Sequence, residues 1–569
     1  MKDRRGILTI FCVLAVMLVF AVSPCVFAVS TQSPLSPEEV KEIFAAARRL
    51  SNANLAKSNL SGMDLSSASI LHTNLSGSNL SNANLMDAVL MHTDLSGANL
   101  HKTNLSGCKM ARYSLNKADL RDAELNLAVM QDGDAQNADL TRAGLRGAMI
   151  RGVNLKGANL SHANLSLSFI SGDLDDATLA FADMHGAHLA EVSLRGADMR
   201  TVNLSGSRLV KADMGGNSRM HANLSNANMN HIVMLSVKMA AADLRGGYLN
   251  GSIIEEGDCT GVNLTNANLD GTVIIKTDLE KADLRYASLV HAYLEEIDLT
   301  GANLTSAIMT NAKVHKCTLN EALLVGVDFC GATLSGSSLK KAVLRTALLK
   351  GADLGGVNLD GADMKDADCA GADLTNAVLI GADLSRVNLS GTLLSFADLS
   401  KAVLGGASLK DAMVRNIILN GVDLKGIELE RVDLTGAVLK DADLSGARLS
   451  GTILDDADLS GANLSAAVLA NASLNRATLK KANLSEGDLG HAILKGANAS
   501  SANLSHANLT DADLTGASLR NADLRGALME GANLAGADLK GADLTGVDTS
   551  LISNFKDAVN AGRAIGTDN

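Results

Sequence analysis

Nearly every fifth residue of this chain from Leu55 onward is aliphatic, and most often leucine. The run begins Leu55, Leu60, Leu65, Ile70, Leu75, Leu80 and continues to Leu165 and Ile170. After one dropped residue it resumes at Leu174, Leu179, Met184, Leu189 and Leu194, and it carries on to Leu539 and Leu544. An alanine usually stands two places before the leucine, with Asn or Asp between them, as in Ala98-Asn99-Leu100. Roughly a hundred such units in tandem make one elongated repeat domain rather than several globular ones.

A five-residue period fits neither an α-helix nor a long strand. Residues two apart in an extended segment point the same way, so Ala and Leu face one side and the Asn or Asp between them faces the other. The Ser, Thr, Lys, Arg, Gly, Asn and Asp residues that follow supply a corner, where Gly tolerates unusual φ. Proline occurs at Pro24, Pro34 and Pro37 and nowhere later. A ladder that uses every backbone N–H excludes it in this way. Aromatic residues are 2% of the chain, so the core is built of small, regular side chains.

The A-[D/N]-L-x-x unit, repeated over about residues 50–548, resembles the pentapeptide-repeat family. The resemblance implies an all-β fold, a right-handed quadrilateral β-helix in which four units close one coil of 20 residues. About 25 coils stacked ~4.8 Å apart give a rod of roughly 120 Å. The expected organisation is a signal peptide at 1–28, a linker and capping helix at 29–49, a first β-helix segment at 50–170, a second at 171–548 after a one-residue register slip, and a capping or dimerisation tail at 549–569. A distortion is expected at 170–174. A bulge is expected at Met214–Met220, because Arg219 stands in a leucine position and cannot stay unpaired in that core.

The termini carry their own signals. Lys2, Arg4 and Arg5 precede the apolar stretch Ile7–Val22, and Val26-Phe27-Ala28 offers a cleavage site. The competing readings are an uncleaved membrane anchor and, less well matched because Pro24 precedes Cys25, a lipid attachment. Ser36-Pro37-Glu38-Glu39 reads as a helix start, with Val40, Ile43, Phe44 and Ala47 facing the first coil. At the far end Leu551, Ile552, Phe555, Ala558 and Val559 have helical spacing, and Gly562 would end that helix. The tail reads either as a cap or as a homodimer contact.

The formal charge is −12. A mildly acidic chain argues against a dedicated nucleic-acid binder. Of seven cysteines, five lie beyond the leader. Cys259 and Cys369 replace the central leucine, Cys108 and Cys317 replace the alanine, and Cys330 points outward. No C-x-x-C spacing is present.

Residues 20 apart should stack on one face. His72 and His92 do so, a weak metal candidate with Asp94 as an additional ligand. Coil duplication explains the match equally. Asp258, Asp278 and Asp298 also stack, either around a cation or, more plainly, with each carboxylate holding local backbone N–H groups. The Asn/Asp position turns apolar at Val233, Ile253, Val273 and Tyr293, with Leu235 and Ile275 beside them. Leu393 and Met413, with Ile418 and Val438 on the neighbouring face, form a comparable cluster. An apolar stripe on a rod of this kind suggests an interaction surface, against the alternative of drift in a tolerant ladder.

No nucleotide-binding, nucleophile-elbow or zinc-protease motif occurs, and the repeated Asn-Leu-Ser triplets, as at Asn59, are the repeat itself. The reading is therefore of an exported, non-enzymatic rod without cofactor, acting as a scaffold for an unidentified protein partner. Its place would be the periplasm, the cell surface or the extracellular space, or the thylakoid lumen for a cyanobacterial source. Membrane contact would come only through an uncleaved N-terminal segment. The resemblance also implies an alternative, mimicry of DNA toward gyrase or another topoisomerase. The export signal and the dispersed Lys340, Lys341, Arg345 and Lys350 oppose it. A secreted effector or ligand-binding surface protein is the third class.

Overall fold

The computed structural model describes residues 35–216 and 221–566. The leader at 1–28 and Arg219 therefore lie outside the described residues. The chain forms two compact units, one up to Thr178 and one from Leu179. Each is a parallel β-solenoid, and no helix among the described residues is long and apolar enough to cross a membrane.

One coil shows how the sequence builds the rest. The leucine carbonyl accepts the N–H of the next alanine, as Leu459 does from Ala462 at 3.0 Å. The residue before that alanine, here Gly461, has φ of 71°, which is the third position of a type II turn. The flanking residues bond up and down the stack. Asn463 donates to the Ala442 carbonyl at 2.9 Å, and Leu464 donates to that of Asn483 at 2.6 Å. Each backbone N–H is thus committed, which is why proline is absent after residue 37.

The polar position is occupied for two reasons. Asn463 Oδ1 accepts the Ser465 N–H at 3.3 Å, and Asn463 Nδ2 donates to Asp443 Oδ1 at 2.9 Å in the coil before. Asn483 and Asn503 continue this amide ladder at 3.1 and 3.0 Å. Inside, Ala and Leu are almost completely buried. Truncating one such leucine costs about 2–5 kcal/mol.

The first unit begins with helix α1 (Pro37–Ala47). Glu39 N–H donates to Ser36 Oγ at 3.3 Å, and Ser36 N–H donates to Glu39 Oε2 at 2.7 Å, which closes a capping box. Val40 and Phe44 are buried and Ile43 is half-buried. The strands are β1 (Arg49–Ser51), β2 (Ser69–Leu71), β3 (Val89–Met91), β4 (Lys109–Ala111), β5 (Val129–Gln131), β6 (Met149–Asn154) and β7 (Phe169–Asp173). Each pairs in parallel with the next, in 20-residue register, as Ile70 with Leu90. Between β6 and β7 the register shifts. Ile150 pairs with Ile170, but Val153 pairs with Gly172. Gly172 absorbs the missing residue at φ of 131°, where a Cβ would strike the Val153 carbonyl.

The second unit contains β8 (His188–Ser193), β9 (Arg208–Val210), β10 (Val233–Leu235), β11 (Ile253–Glu255), β12 (Val273–Ile275), β13 (Tyr293–Glu295) and β14 (Lys313–His315). One coil carries five extra residues: Asn203 and Asn228, bonded at 3.1 Å, are 25 residues apart. The extra residues lie between Met214 and Ala222, whose backbones still join at 3.2 Å, Ala222 N–H donating to the Met214 carbonyl.

The C-terminal helix expected from Leu551, Ile552, Phe555, Ala558 and Val559 does not form. Three 3₁₀ turns, Thr549–Leu551, Phe555–Asp557 and Ala561–Arg563, alternate with bridges Asn533–Ser553, Asp538–Val559 and Asp543–Ile565. The preceding coil presents a complete row of donors and acceptors, and the chain adds to it instead of coiling. Ser553 accepts from Leu534, and Val559 accepts from Leu539 at 2.9 Å. Each side is now six residues long, and that period brought apolar residues into apparent helical spacing. Ile552 is buried, whereas Leu551 and Val559 are both 50% exposed.

Candidate interaction face

Strands β9–β14 place one row of outward side chains in register: Arg208, Val233, Ile253, Val273, Tyr293 and Lys313. The second row is Val210, Leu235, Glu255, Ile275, Glu295 and His315. The inward residues Met234, Ile254, Ile274 and Leu294 are buried beneath them. Ile253 is 39% exposed, and Val233, Val273, Tyr293, Leu235 and Ile275 are half-buried. The six apolar residues singled out in the sequence are therefore brought together on one sheet face. β-branched and aromatic side chains suit this pleated surface, and a three-residue strand forms here in every coil from β10 to β14.

The charged border of the face lies mainly on one side. Glu255 and Glu295 sit in the second row, Glu256 and Glu296 at the following corner, and Asp258, Asp278 and Asp298 on the adjoining side. The cations among them are Lys238, Lys276, Lys281 and Lys316. Lys316 reaches Glu296 at 3.5 Å and Lys281 reaches Glu280 at 2.5 Å. Glu255, Asp258, Asp278 and Asp298 make no ion pair among the described residues. Tyr293 O–H donates to Glu295 Oε2 at 2.8 Å. That bond, with some desolvation and the carboxylate charge, pushes the phenol pKa up. The Tyr293 ring lies 5.8 Å from that of His315, tilted by 56°.

Asp258, Asp278 and Asp298 each serve their own corner. Their Oδ1 atoms accept the N–H of Thr260, Glu280 and Thr300 at 3.2, 2.8 and 2.8 Å. His72 and His92 stack face to face, with ring centroids 4.5 Å apart and planes 8° from parallel. Lone pairs in parallel rings point alongside one another rather than at one point. Asp94 is turned to the Ser96 N–H at 2.9 Å. Among the described residues no group of three or more His, Cys, Asp or Glu is placed to hold a metal ion.

Other concavities are poor candidates for chemistry. A shallow recess of about 400 Å³ is lined by Glu191, Arg195, Lys211, Asp213, Ser236 and Lys238. Four of its charges are engaged, Lys211 with Glu191 at 3.6 Å and Arg195 with Asp213 at 2.5 Å. Beneath the apolar face, Cys259 and Thr277 stand in Leu and Ala positions and line an apolar void of about 10 Å³, too small for a ligand.

Sequence reading missed the matching face of the first unit. Val89, Lys109, Val129, Met149 and Phe169 are in register on β3–β7, with Phe169 50% exposed. The signal was present at the same outward position. Lys109 interrupts the run, so a search for unbroken apolar stretches passes over it.

The repeat is matched by the family model for pentapeptide repeats in successive blocks from residues 49–82 to 512–548. Among solved structures the chain is similar to HetL, a pentapeptide-repeat protein involved in heterocyst differentiation regulation in the cyanobacterium Nostoc sp. The identity is 32% over 42% of this chain and 88% of HetL, with a TM-score of 0.19. QnrB1, a plasmid-mediated fluoroquinolone resistance protein, is 20% identical over 31% of this chain and 92% of its own, with a TM-score of 0.24. A thylakoid-lumen pentapeptide-repeat protein of Arabidopsis thaliana is 38% identical over 18% of this chain and 68% of its own, with a TM-score of 0.14. No curated protein matches the chain.

Proposed function

The chain belongs to the pentapeptide-repeat family, and from that premise we propose that it is an exported, non-enzymatic scaffold whose outer face on β10–β13 docks a protein partner. The register Val233–Ile253–Val273–Tyr293 carries this reading. Four successive coils replace a polar ladder residue with an apolar one, side by side in register. Within the unit that carries it, coils on the 20-residue register would make a rigid display surface, its side chains held at about 4.8 Å steps. Export rests on Lys2, Arg4 and Arg5 before Ile7–Val22 and the Val26-Phe27-Ala28 site. The destination proposed is the periplasm or cell surface, or the thylakoid lumen in a cyanobacterial host.

The test is capture from the exported fraction by the chain beginning at Val29, beside the variant Ile253→Asp/Val273→Asp. A partner held by the first and lost by the second supports the reading. Identical capture by both removes it. N-terminal sequencing of the exported protein should begin at Val29, and a start at Met1 would replace the cleaved leader with an anchor. We also propose that residues 549–569 offer a homodimer contact. Light scattering should then show half the mass for a chain ending at Thr549, and an unchanged association state would end that idea.

A further inference from the structure

We propose that the occupant of the β10–β13 face is a basic amphipathic α-helix lying along the stack of strands. This rests on the docking face proposed above and adds the chemistry of what docks there. Three observations carry it.

The first is spacing. Rungs of a parallel ladder repeat about every 4.8 Å, and an α-helix repeats about every 5.4 Å. Over the three steps from Val233 to Tyr293 the mismatch is about 2 Å, within the reach of flexible side chains. The i, i+3/i+4, i+7 stripe of a helix can therefore seat one side chain per rung. Alternate side chains of an extended segment are about 6.6 Å apart and fall out of step after two rungs.

The second is the one-sided border. Glu255, Glu256, Glu295, Glu296, Asp258, Asp278 and Asp298 flank the apolar rows on one edge, and of these only Glu296 has an ion-pair partner, Lys316, among the described residues. The opposite edge carries Gly251, Gly271, His231 and His291, with one acid, Asp270, whose Oδ1 accepts the Ser288 hydroxyl and the Val290 N–H. A helix with an apolar stripe and Lys or Arg along one side of it complements both features at once.

The third excludes a second copy of this chain. An isologous dimer that aligns the two stacks on this face has two choices of two-fold axis. One sets the acidic edge against itself. The other sets Arg208 against Arg208 and Lys313 against Lys313, because these residues end the apolar row in register. Like charges meet in both.

The experiment uses the chain from Val29 and a fluorescent peptide of Leu and Lys, about 18 residues long, patterned as an amphipathic helix to span the four rungs. A scrambled peptide of the same composition and a Leu/Glu helix are the controls. Anisotropy titration should show the Leu/Lys helix binding at least about tenfold more tightly than either control. Ile253→Asp/Val273→Asp should weaken it about tenfold or more, and replacing Glu255, Glu256, Glu295 and Glu296 by Gln should do likewise with a smaller salt dependence. Should the Asp variant lose its native circular dichroism, Ile253→Thr/Val273→Thr, which keeps β-branched side chains, decides the point. Equal binding of the scrambled peptide, or binding indifferent to both sets of substitutions, overturns the proposal. If the helix fails to bind while capture of a natural partner still depends on Ile253 and Val273, the helix class falls and the docking face stands. If both fail, the docking face falls as well.

Discussion

Tyr113 occupies a position that the repeat gives to alanine, two residues before the core residue Leu115. Its ring is 3% exposed, its hydroxyl has no hydrogen-bond partner among the described residues, and burial pushes its pKa up. The next coil makes room at Gly133, where a Cβ would overlap the Tyr113 ring carbons. The two residues form one packing unit across coils. Gly133→Ala, a return to the repeat consensus, should therefore destabilise by about 1–3 kcal/mol through overpacking. Tyr113→Ala in the same chain should restore the loss. Tyr113→Phe should be neutral or stabilising by about 1 kcal/mol, since an orphaned buried hydroxyl disappears. Hydrogen exchange of amides in the coils around Leu115 and Ala135 measures this better than global melting, because a solenoid need not unfold in two states. Protection unchanged by Gly133→Ala would refute the pairing. A glycine in an alanine slot looks ordinary in the sequence. Only comparison with the residue 20 places earlier shows what it accommodates.

At the scale of the coil, register explains what the sequence revealed and what it concealed. The leucine period, the corner residues and the dropped residue at 171–173 follow from counting, since each coil must end in phase with its neighbour. The tail did not follow. Six-residue sides around Ser553, Val559 and Ile565 mimic a helical period, and the ladder of the preceding coil decides between the two. The long coil between Met214 and Ala222 is intermediate. Counting by fives hides it, because an insertion of one whole unit preserves phase, although Arg219 in a leucine position marks it. Deleting Asn217–His221 leaves Ala212-Asp213-Met214-Gly215-Gly216-Ala222-Asn223-Leu224, an unbroken repeat. The Ala222-to-Met214 bond would then close an ordinary corner, and the His221 Nδ1, which has no hydrogen-bond partner among the described residues, would be gone. The shortened chain should keep its circular dichroism and melt at the same temperature or higher. A fall in its melting temperature would show that the insertion supports the coil rather than interrupting it.

Across the whole molecule the apolar face was legible as an exception to the pattern, and its acidic border became visible only when side chains from different coils were placed together. Charge and thiol chemistry extend that view to both units. Asp119 and Asp198 sit beside Arg121 and Arg200, whose hydrogen bonds, outweighing desolvation, hold both carboxyls below their ordinary value of 3.8. Burial pulls Asp243 and Asp283 upward, but the hydrogen bonds and charge of Arg245 and Arg285 leave them lowered as well. A depressed folded pKa stabilises above the unfolded value and loses that contribution as pH falls through the folded one. The melting temperature should accordingly hold from pH 7 to about 4 and decline below it, less steeply in a variant with all four arginines replaced by Gln. Equal slopes would remove the ion pairs from the acid response. The cysteines report core closure in each unit separately. Cys108 in the first unit and Cys259 and Cys369 in the second are each at most 2% exposed, and burial pushes their thiols up to about 12. Cys317 is likewise buried, its thiol raised to about 11. Cys330 alone among the described cysteines is half-exposed. Thiolate, not thiol, is the nucleophile, so a maleimide at neutral pH should modify Cys330 slowly and spare the other four. In rising urea, Cys108 labelling should follow loss of the first unit, and Cys259, Cys317 and Cys369 that of the second, as peptide mapping by mass spectrometry can resolve. Prompt labelling of Cys259 in the native protein would mean that the core beneath the apolar face opens readily, and rigid display by that face would no longer hold.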